Sequence, residues 1–422
     1  AFKTIYIVHL LLAFTALVNR TFFIQVTSAL TLICGAIVML TKLITFPQYL
    51  RRKNFILLNL FLLSYILSSL VNYEFGIWDN FKGFIWLLLQ IWILYFINKD
   101  TDIKKECFLI SVVYIIVVSL QNLISLVMFF FGVSYRSHLS DGSIHMFGFF
   151  WGRLWGVYDD PNHGAVISAI AVLLAVWLLS MSKRKMPKAF LTLSFIIQTA
   201  FIILSDSRTG FLCLLFGSVL LWMIKSFYSY SKLDWKKVVK TILMSIMTIV
   251  VILALRGPVQ NGFGVVRNVT DRMLSQDTEQ EVETEVGREG NSADLSNSDP
   301  SNRRFDIWKS SVEIFLDSPL VGAGGGTINS YAHKYLPDTY IVNNDLTEFR
   351  AMHNVFFDVL AGQGLVGICI LIGIIINTVV FIFKRFQYIQ KSERFFLSTL
   401  FSILVMLAMA SLLISFIIYV NS

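Results

Sequence analysis

Charge is scarce in this sequence, and so are the residues that staple or punctuate soluble domains. Only 15% of the 422 residues are Asp, Glu, Lys or Arg, there are 7 prolines, and the 4 cysteines form no CxxC pair. Cys34, Cys107, Cys213 and Cys369 sit in or beside apolar runs, a pattern that predicts neither a disulfide framework nor a metal site. Also missing are a nucleotide-binding motif and any evident internal repeat; the latter counts against transporter folds built from inverted repeats. No small-residue cleavage site follows the first apolar run, so Ala1 to Val18 reads as a first membrane helix and not as a removed signal.

Apolar surface is what the sequence has in excess: 56% of residues are hydrophobic, 14% are aromatic, and mean hydropathy is +0.68. A soluble core could not hide that much, and apolar stretches of about 20 residues suit bilayer-spanning helices. The fold class is therefore an all-α polytopic membrane protein. Spans are expected at 4–18, 21–46, 55–73, 81–98, 107–133, 161–181, 189–205, 209–225, 239–255, 353–383 and 395–419. Five basic loops, marked by Arg51–Lys53, Lys99–Lys105, Lys183–Lys188, Lys225–Lys240 and Lys384–Arg394, alternate in the way the positive-inside rule requires. That parity puts the N-terminus in the cytoplasm and the long loop on the far side. Three regions result: a helix bundle over 1–256, an extracytoplasmic loop over 257–352 with short amphipathic helices, and terminal spans over 353–422. The net charge of +8 comes with this loop pattern, and no nucleic-acid partner is expected. Within the loop, the polar stretch from Asp277 to Asp299 reads as a lid or a spacer. Trp308, Val312, Phe315 and Leu316 then recur at helical spacing up to Asp317-Ser318-Pro319.

Four constellations carry the polar chemistry. Arg153-Leu-Trp-Gly-Val-Tyr-Asp-Asp160-Pro-Asn162-His163 opens the sixth span; Asp160 and Pro161 suit a helix start, while Arg153 and Asn162 suit contacts to sugar or phosphate. Ser205-Asp206-Ser207-Arg208-Thr-Gly210 joins two spans with almost no linker. An Arg at that depth either snorkels beside Asp206 or presents its planar fork to phosphate. Arg303-Arg304-Phe-Asp306-Ile-Trp308 precedes Gly322-Ala-Gly324-Gly325-Gly326, which reads better as a flexible turn than as a phosphate loop, since no Lys-Ser/Thr follows and no strand precedes. Finally, Met352-His353-Asn354 stands where the long loop returns to the membrane. A His there can act as a general base near neutral pH, and Asn354 and Asp358 share a face that could orient it or hold sugar hydroxyls.

In this order, these blocks resemble the O-antigen polymerase and ligase superfamily, from about Arg153 to Gly367. The resemblance rests on the Arg-x-x-Gly-x-x-x-Asp-Pro-Asn block, the Ser-Arg-Thr-Gly turn, Arg304-x-x-x-Trp308 with Ser318-Pro-Leu-x-Gly322-x-Gly324, and His353-Asn354 with Gly364-Leu-x-Gly367. It implies about 11–12 transmembrane helices in a GT-C-like architecture, with one large extracytoplasmic loop near the third-from-last or second-from-last span. It further implies inverting glycosyl transfer without metal or cofactor, at the outer face of a bacterial cytoplasmic membrane. The partners would be an undecaprenyl-pyrophosphate-linked donor, a glycan acceptor, membrane lipid and a chain-length regulator protein. By position, Arg208 and Arg304 look like the arginines that bind the pyrophosphate and His353 like the base; Arg153, Asp160, Asn162 and Asn354 would complete substrate binding. Polymerase is the favoured activity, with ligase as the alternative. A lipid-linked glycan flippase would need charges lining a path, and most spans lack mid-span charge. A metal-dependent transferase of the dolichol-linked type would need carboxylates in a first outer loop that here is little more than Asn19-Arg20.

Overall fold

The computed structural model describes residues 2–43, 54–96, 102–138, 144–228, 235–274, 303–344, 349, 351–386, 388–390 and 393–414. The acidic stretch from Asp277 to Asp299 lies outside them, as do Arg51, Arg52, Lys53, Lys99, Lys232 and Lys391, on which part of the orientation rests.

Helices dominate. α1 (Phe2–Ala13), α2 (Phe22–Leu43), α3 (Phe55–Val71) and α4 (Ile77–Leu88), continued by the π-helical turn Leu89–Phe96, precede α5 (Ile103–Phe130). A three-stranded antiparallel sheet follows, in the order β1 (Ser134–His138), β2 (Ile144–Phe150), β3 (Arg153–Gly156). Then come α6 (Pro161–Met181), α7 (Lys185–Leu204), α8 (Arg208–Tyr228), α9 (Trp235–Leu274), α10 (Arg304–Asp317), α11 (Ile328–Tyr335), α12 (Val355–Phe386) and α13 (Arg394–Ser411). Among the described residues, seven helices are long and apolar enough to cross a membrane, and three shorter apolar ones, Phe2–Ala13, Phe55–Val71 and Arg208–Ile224, fall where further spans are expected. The all-α polytopic class is thus borne out.

The core is built around α6, whose Ala165, Val166, Ala169, Ala171, Val172 and Ala175 are buried. Small residues let its neighbours approach closely, the usual device where helices pack without a hydrophobic drive between them. Gly210 of α8 is one contact point: a Cβ there would lie 2.2 Å from that of Ala165. A buried polar chain ties α5, α6 and α7 below the sheet. The Tyr158 hydroxyl donates to Asn122 Oδ1 (2.8 Å), Asn122 Nδ2 donates to Ser168 Oγ (2.7 Å) and to Gln198, and Gln198 Nε2 donates to Ser119 Oγ (3.1 Å).

Two features depart from the expectations. The ninth span does not stop before Gly257-Pro258: α9 is 40 residues long and continues to Leu274 with Pro258 inside it. A mid-helix Pro deletes one hydrogen bond and kinks the helix, and here Arg256 and Gln260 pin the chain on either side of it. Arg256 pairs with Asp206, and Gln260 Nε2 donates to Ile203 O (3.0 Å) and Asp206 Oδ1 (3.2 Å). α10 forms and ends as predicted at Asp317, but it buries Ile307, Ser310, Ser311 and Ile314. Phe305, Val312 and Leu316 stay exposed, so its apolar surface has a second, outward face.

The glycine loop after α10 has a structural task. α12 is broken at Gly364 (φ 62°, ψ −156°), which strands backbone groups on both sides of the break. The loop supplies what the helix lost: Ala323 N and Gly324 N donate to Ala361 O (2.8 Å) and Gly362 O (3.0 Å), and Leu365 N and Val366 N donate to Pro319 O (2.8 Å) and Leu320 O (3.3 Å). Ser68 Oγ and Asn72 Nδ2 of the α3 end complete the knot, on Gly362 O (2.6 Å) and Gly322 O (2.8 Å). The Ala323 and Gly324 amides are therefore spent on helix carbonyls, and Gly326 N donates to Asn80 Oδ1 (2.8 Å).

Candidate active site

Four helices begin beside one another. Asp160 caps α6, Arg208 opens α8, Arg304 opens α10, and His353 lies just before α12. Asp160 Oδ1 accepts from Asn162 N (2.7 Å) with Pro161 in the first turn, the cap anticipated from the sequence. Asn162 Oδ1 then accepts from Ser207 Oγ (2.8 Å) and from the Arg153 guanidinium (3.3 Å), whose Nε donates to Ser205 O (2.9 Å). These bonds fuse the first two constellations into one body and hold the turn that carries Arg208. Ser207 Oγ also accepts from Gly210 N (3.0 Å), capping α8. Arg208 itself projects an exposed side chain from the first position of that helix.

Asp206 ties this turn to α9. It is 5% exposed, adopts φ 47°, and is engaged by Arg256 and Gln260 from α9. Arg256 was not singled out in the sequence, because Gly257-Pro258 reads as the end of its helix. The signal was its i,i+4 spacing to Gln260.

The third and fourth constellations also meet. Arg303 turns away, donating to the Tyr340 hydroxyl (3.3 Å) and lying over its ring, while Arg304 acts electrostatically on His353. His353 has φ 52°, a left-handed conformation that costs a non-glycine residue about 1–2 kcal/mol. Its backbone is fixed through Met352, whose N–H donates to Asp358 Oδ1 (2.7 Å) and whose carbonyl accepts from Trp308 Nε1 (3.1 Å). Trp308 is in turn stacked on Phe357 at 5.1 Å. Asn354 caps α12 through Phe356 N (2.9 Å) and donates to Leu412 O (3.0 Å), so its amide is used in anchoring the loop to α13. Asp358 likewise positions the backbone before His353.

The imidazole of His353 makes no hydrogen bond to the described residues, although its backbone is clamped; its ring meets Phe349 edge-on at 6.2 Å. Burial pushes it down to a pKa of about 4; Asp160 opposes that shift, and Arg304 and His163 add to it. Burial works against ionisation of Asp160 too, but His163, the Asn162 amide, Arg153 and His353 outweigh it and hold the carboxyl below its usual range. At neutral pH the site therefore sets a neutral imidazole near an ionised carboxylate, with Arg304 acting on the first and Arg153 on the second. Among the described residues no group of three or more His, Cys, Asp and Glu gathers as a metal cage.

Arg153, Asp160, Asn162, Arg304 and His353 are thus joined by hydrogen bonds or by electrostatic reach, Arg208 follows Ser207 on the same turn, and Asn354 is in a supporting position. No curated protein matches the chain. A family match covers α7 to the middle of α12, taking in Arg208, Arg304 and His353 and leaving Arg153, Asp160 and Asn162 outside. Residues 193–372 match the family described as O-antigen ligase, which bears out the resemblance to the O-antigen polymerase and ligase superfamily.

Proposed function

We propose that the protein is a glycosyltransferase that moves a glycan from undecaprenyl pyrophosphate to a hydroxyl of an acceptor repeat unit, at the extracytoplasmic face of a bacterial cytoplasmic membrane, and so polymerises an envelope polysaccharide. The observation that carries this reading is His353: an imidazole without a hydrogen-bond partner among the described residues, on a clamped and strained backbone, between the Asp160 carboxylate and Arg304. In the reaction, His353 takes the acceptor hydroxyl proton as that oxygen bonds to the anomeric carbon. The bond from that carbon to the pyrophosphate breaks with inversion, and the lipid pyrophosphate leaves with the electron pair. Arg208 and Arg304, each at the first position of its helix, add their charge to the positive helix ends and would stabilise the negative charge that grows on the leaving pyrophosphate. α10 lacks a side-chain cap, which leaves first-turn amides for phosphate oxygens. Bound pyrophosphate would also offset the charge of Arg304, raising the basicity of His353 when the donor is present.

The description of the family match favours a second reading, a ligase that transfers a finished glycan to lipid A core or another envelope acceptor. One gel of envelope glycan separates the two, using a strain lacking the protein and complemented with wild type, His353→Ala or Arg208→Ala at matched membrane levels. The polymerase reading expects a ladder with wild type and a single attached repeat with either variant. Loss of all attached glycan, with polymer retained on the lipid carrier, would indicate the ligase. Unchanged ladders in the variants would remove the proposed site.

A further inference from the structure

The sheet between α5 and α6 carries two tryptophans that the local fold disfavours. Trp151 and Gly152 form the two-residue turn from β2 to β3, both in the left-handed region (φ 54° and 66°). Such turns select Asn, Asp and Gly, and a bulky residue there is an outlier. Trp151 is nonetheless 41% exposed. Trp155, in β3, has an indole N–H that is buried without a hydrogen-bond partner among the described residues, so the fold would be as well served there by a phenyl ring.

These two residues are aligned with the active site. Side chains alternate along a strand, and β3 buries Leu154 and Gly156 while Arg153 and Trp155 share the other face. Trp155 meets Trp151 edge-on at 5.8 Å, and the Arg136 guanidinium of β1 lies 5.8 Å over the Trp151 ring. A row therefore runs Arg153, Trp155, Trp151, Arg136, starting at the guanidinium that holds Ser205 O and Asn162.

We propose that this row is a saccharide subsite, which takes sugar rings of the glycan substrate beyond those at the reacting bond. The indoles offer apolar faces to sugar C–H groups, and the arginines offer planar donor forks to hydroxyls or sugar carboxylates. The inference rests on the transferase reading for the source of the glycan. The row's continuity with Arg153 selects the substrate's own sugars as its occupant, whereas a tryptophan that merely anchors the sheet at the membrane interface would need no such alignment.

The test uses the full-length protein in detergent and, as probe, the oligosaccharide released by mild acid from the host's envelope glycan, followed by saturation-transfer NMR and thermal unfolding. Trp151→Asn and Trp155→Phe are expected to fold with wild-type or higher thermal stability. Each should weaken saccharide binding about tenfold, equivalent to about 1.4 kcal/mol. Wild-type binding in both variants overturns the subsite. Unchanged binding with reduced stability or membrane retention in Trp151→Asn also overturns it, in favour of an interfacial anchor. A wild-type protein that binds the oligosaccharide through both tryptophans yet transfers nothing would retire the transferase reading and leave the subsite standing.

Discussion

Replacing Gly364 by Ala should open the knot between α12 and the glycine loop. At φ 62° a Cβ costs about 1–2 kcal/mol from backbone sterics alone. It would also lie 2.6 Å from the Leu320 carbonyl carbon and 2.7 Å from its oxygen, so the two backbones must separate. Separation threatens the bonds from Leu365 N to Pro319 O and from Val366 N to Leu320 O, each worth about 1 kcal/mol net. Together these effects come to about 3–4 kcal/mol of local stability, or about a hundred- to a thousandfold faster opening. The assay is amide hydrogen exchange by mass spectrometry on peptides covering 319–326 and 361–368. Gly373→Ala is the control on the same helix: its Cβ would meet only Leu57 methyls at 3.8 and 4.0 Å, and Ala for Gly in a helix stabilises by about 0.5–1 kcal/mol. Unchanged protection around the break in Gly364→Ala, or equal loosening by Gly373→Ala, would refute the exchange of bonds between loop and helix.

Arg256→Ala should remove the guanidinium that pairs with the buried Asp206 carboxylate, and breaking a buried pair from one side costs about 3–5 kcal/mol. A lowered thermal midpoint with reduced glycan transfer is expected, because Asp206 shapes the turn that presents Arg208; Arg256→Lys should recover part of both. The pH dependence has a defined sign. His353 in the folded state titrates at about 4, below its ordinary 6.5, so the unfolded chain takes up its proton first. The stability it confers is complete above 6.5 and declines as pH falls from 6.5 to about 4. The acid limb of kcat/KM, which reports the free enzyme, should likewise lie near 4 and move upward in Arg304→Gln, where a lowering charge is removed.

The membrane spans were legible because hydropathy is a sum over many residues, and loss of a few leaves the pattern intact. Asp160, Arg208 and His353 stood out for a different reason, since ionisable groups at span ends are costly, whereas Arg153 and Arg304 stood out through the blocks they belong to. What could not be read was which polar groups are consumed by the fold itself. The task of Gly322 and Gly324 depends on a helix break at Gly364, far along the chain. Asn354 and Asp358 looked equally suited to substrate, yet one caps a helix and the other holds Met352 N–H. The sheet escaped notice because its alternation is imperfect: a bulge interrupts the pairing at Gly148 and Phe149, and a tryptophan occupies a turn position where Asn or Gly is the usual signal.

The proposed role of His353 is that of the base in transfer from a lipid pyrophosphate donor. It is tested most directly by initial rates of glycan transfer with purified, reconstituted protein carrying His353→Ala, at donor concentrations that yield kcat and KM separately. With His353 as the base, kcat should fall by roughly a hundred- to ten-thousandfold while KM for the donor changes little, as removal of a general base requires. A His353→Ala protein that keeps the wild-type kcat would contradict it.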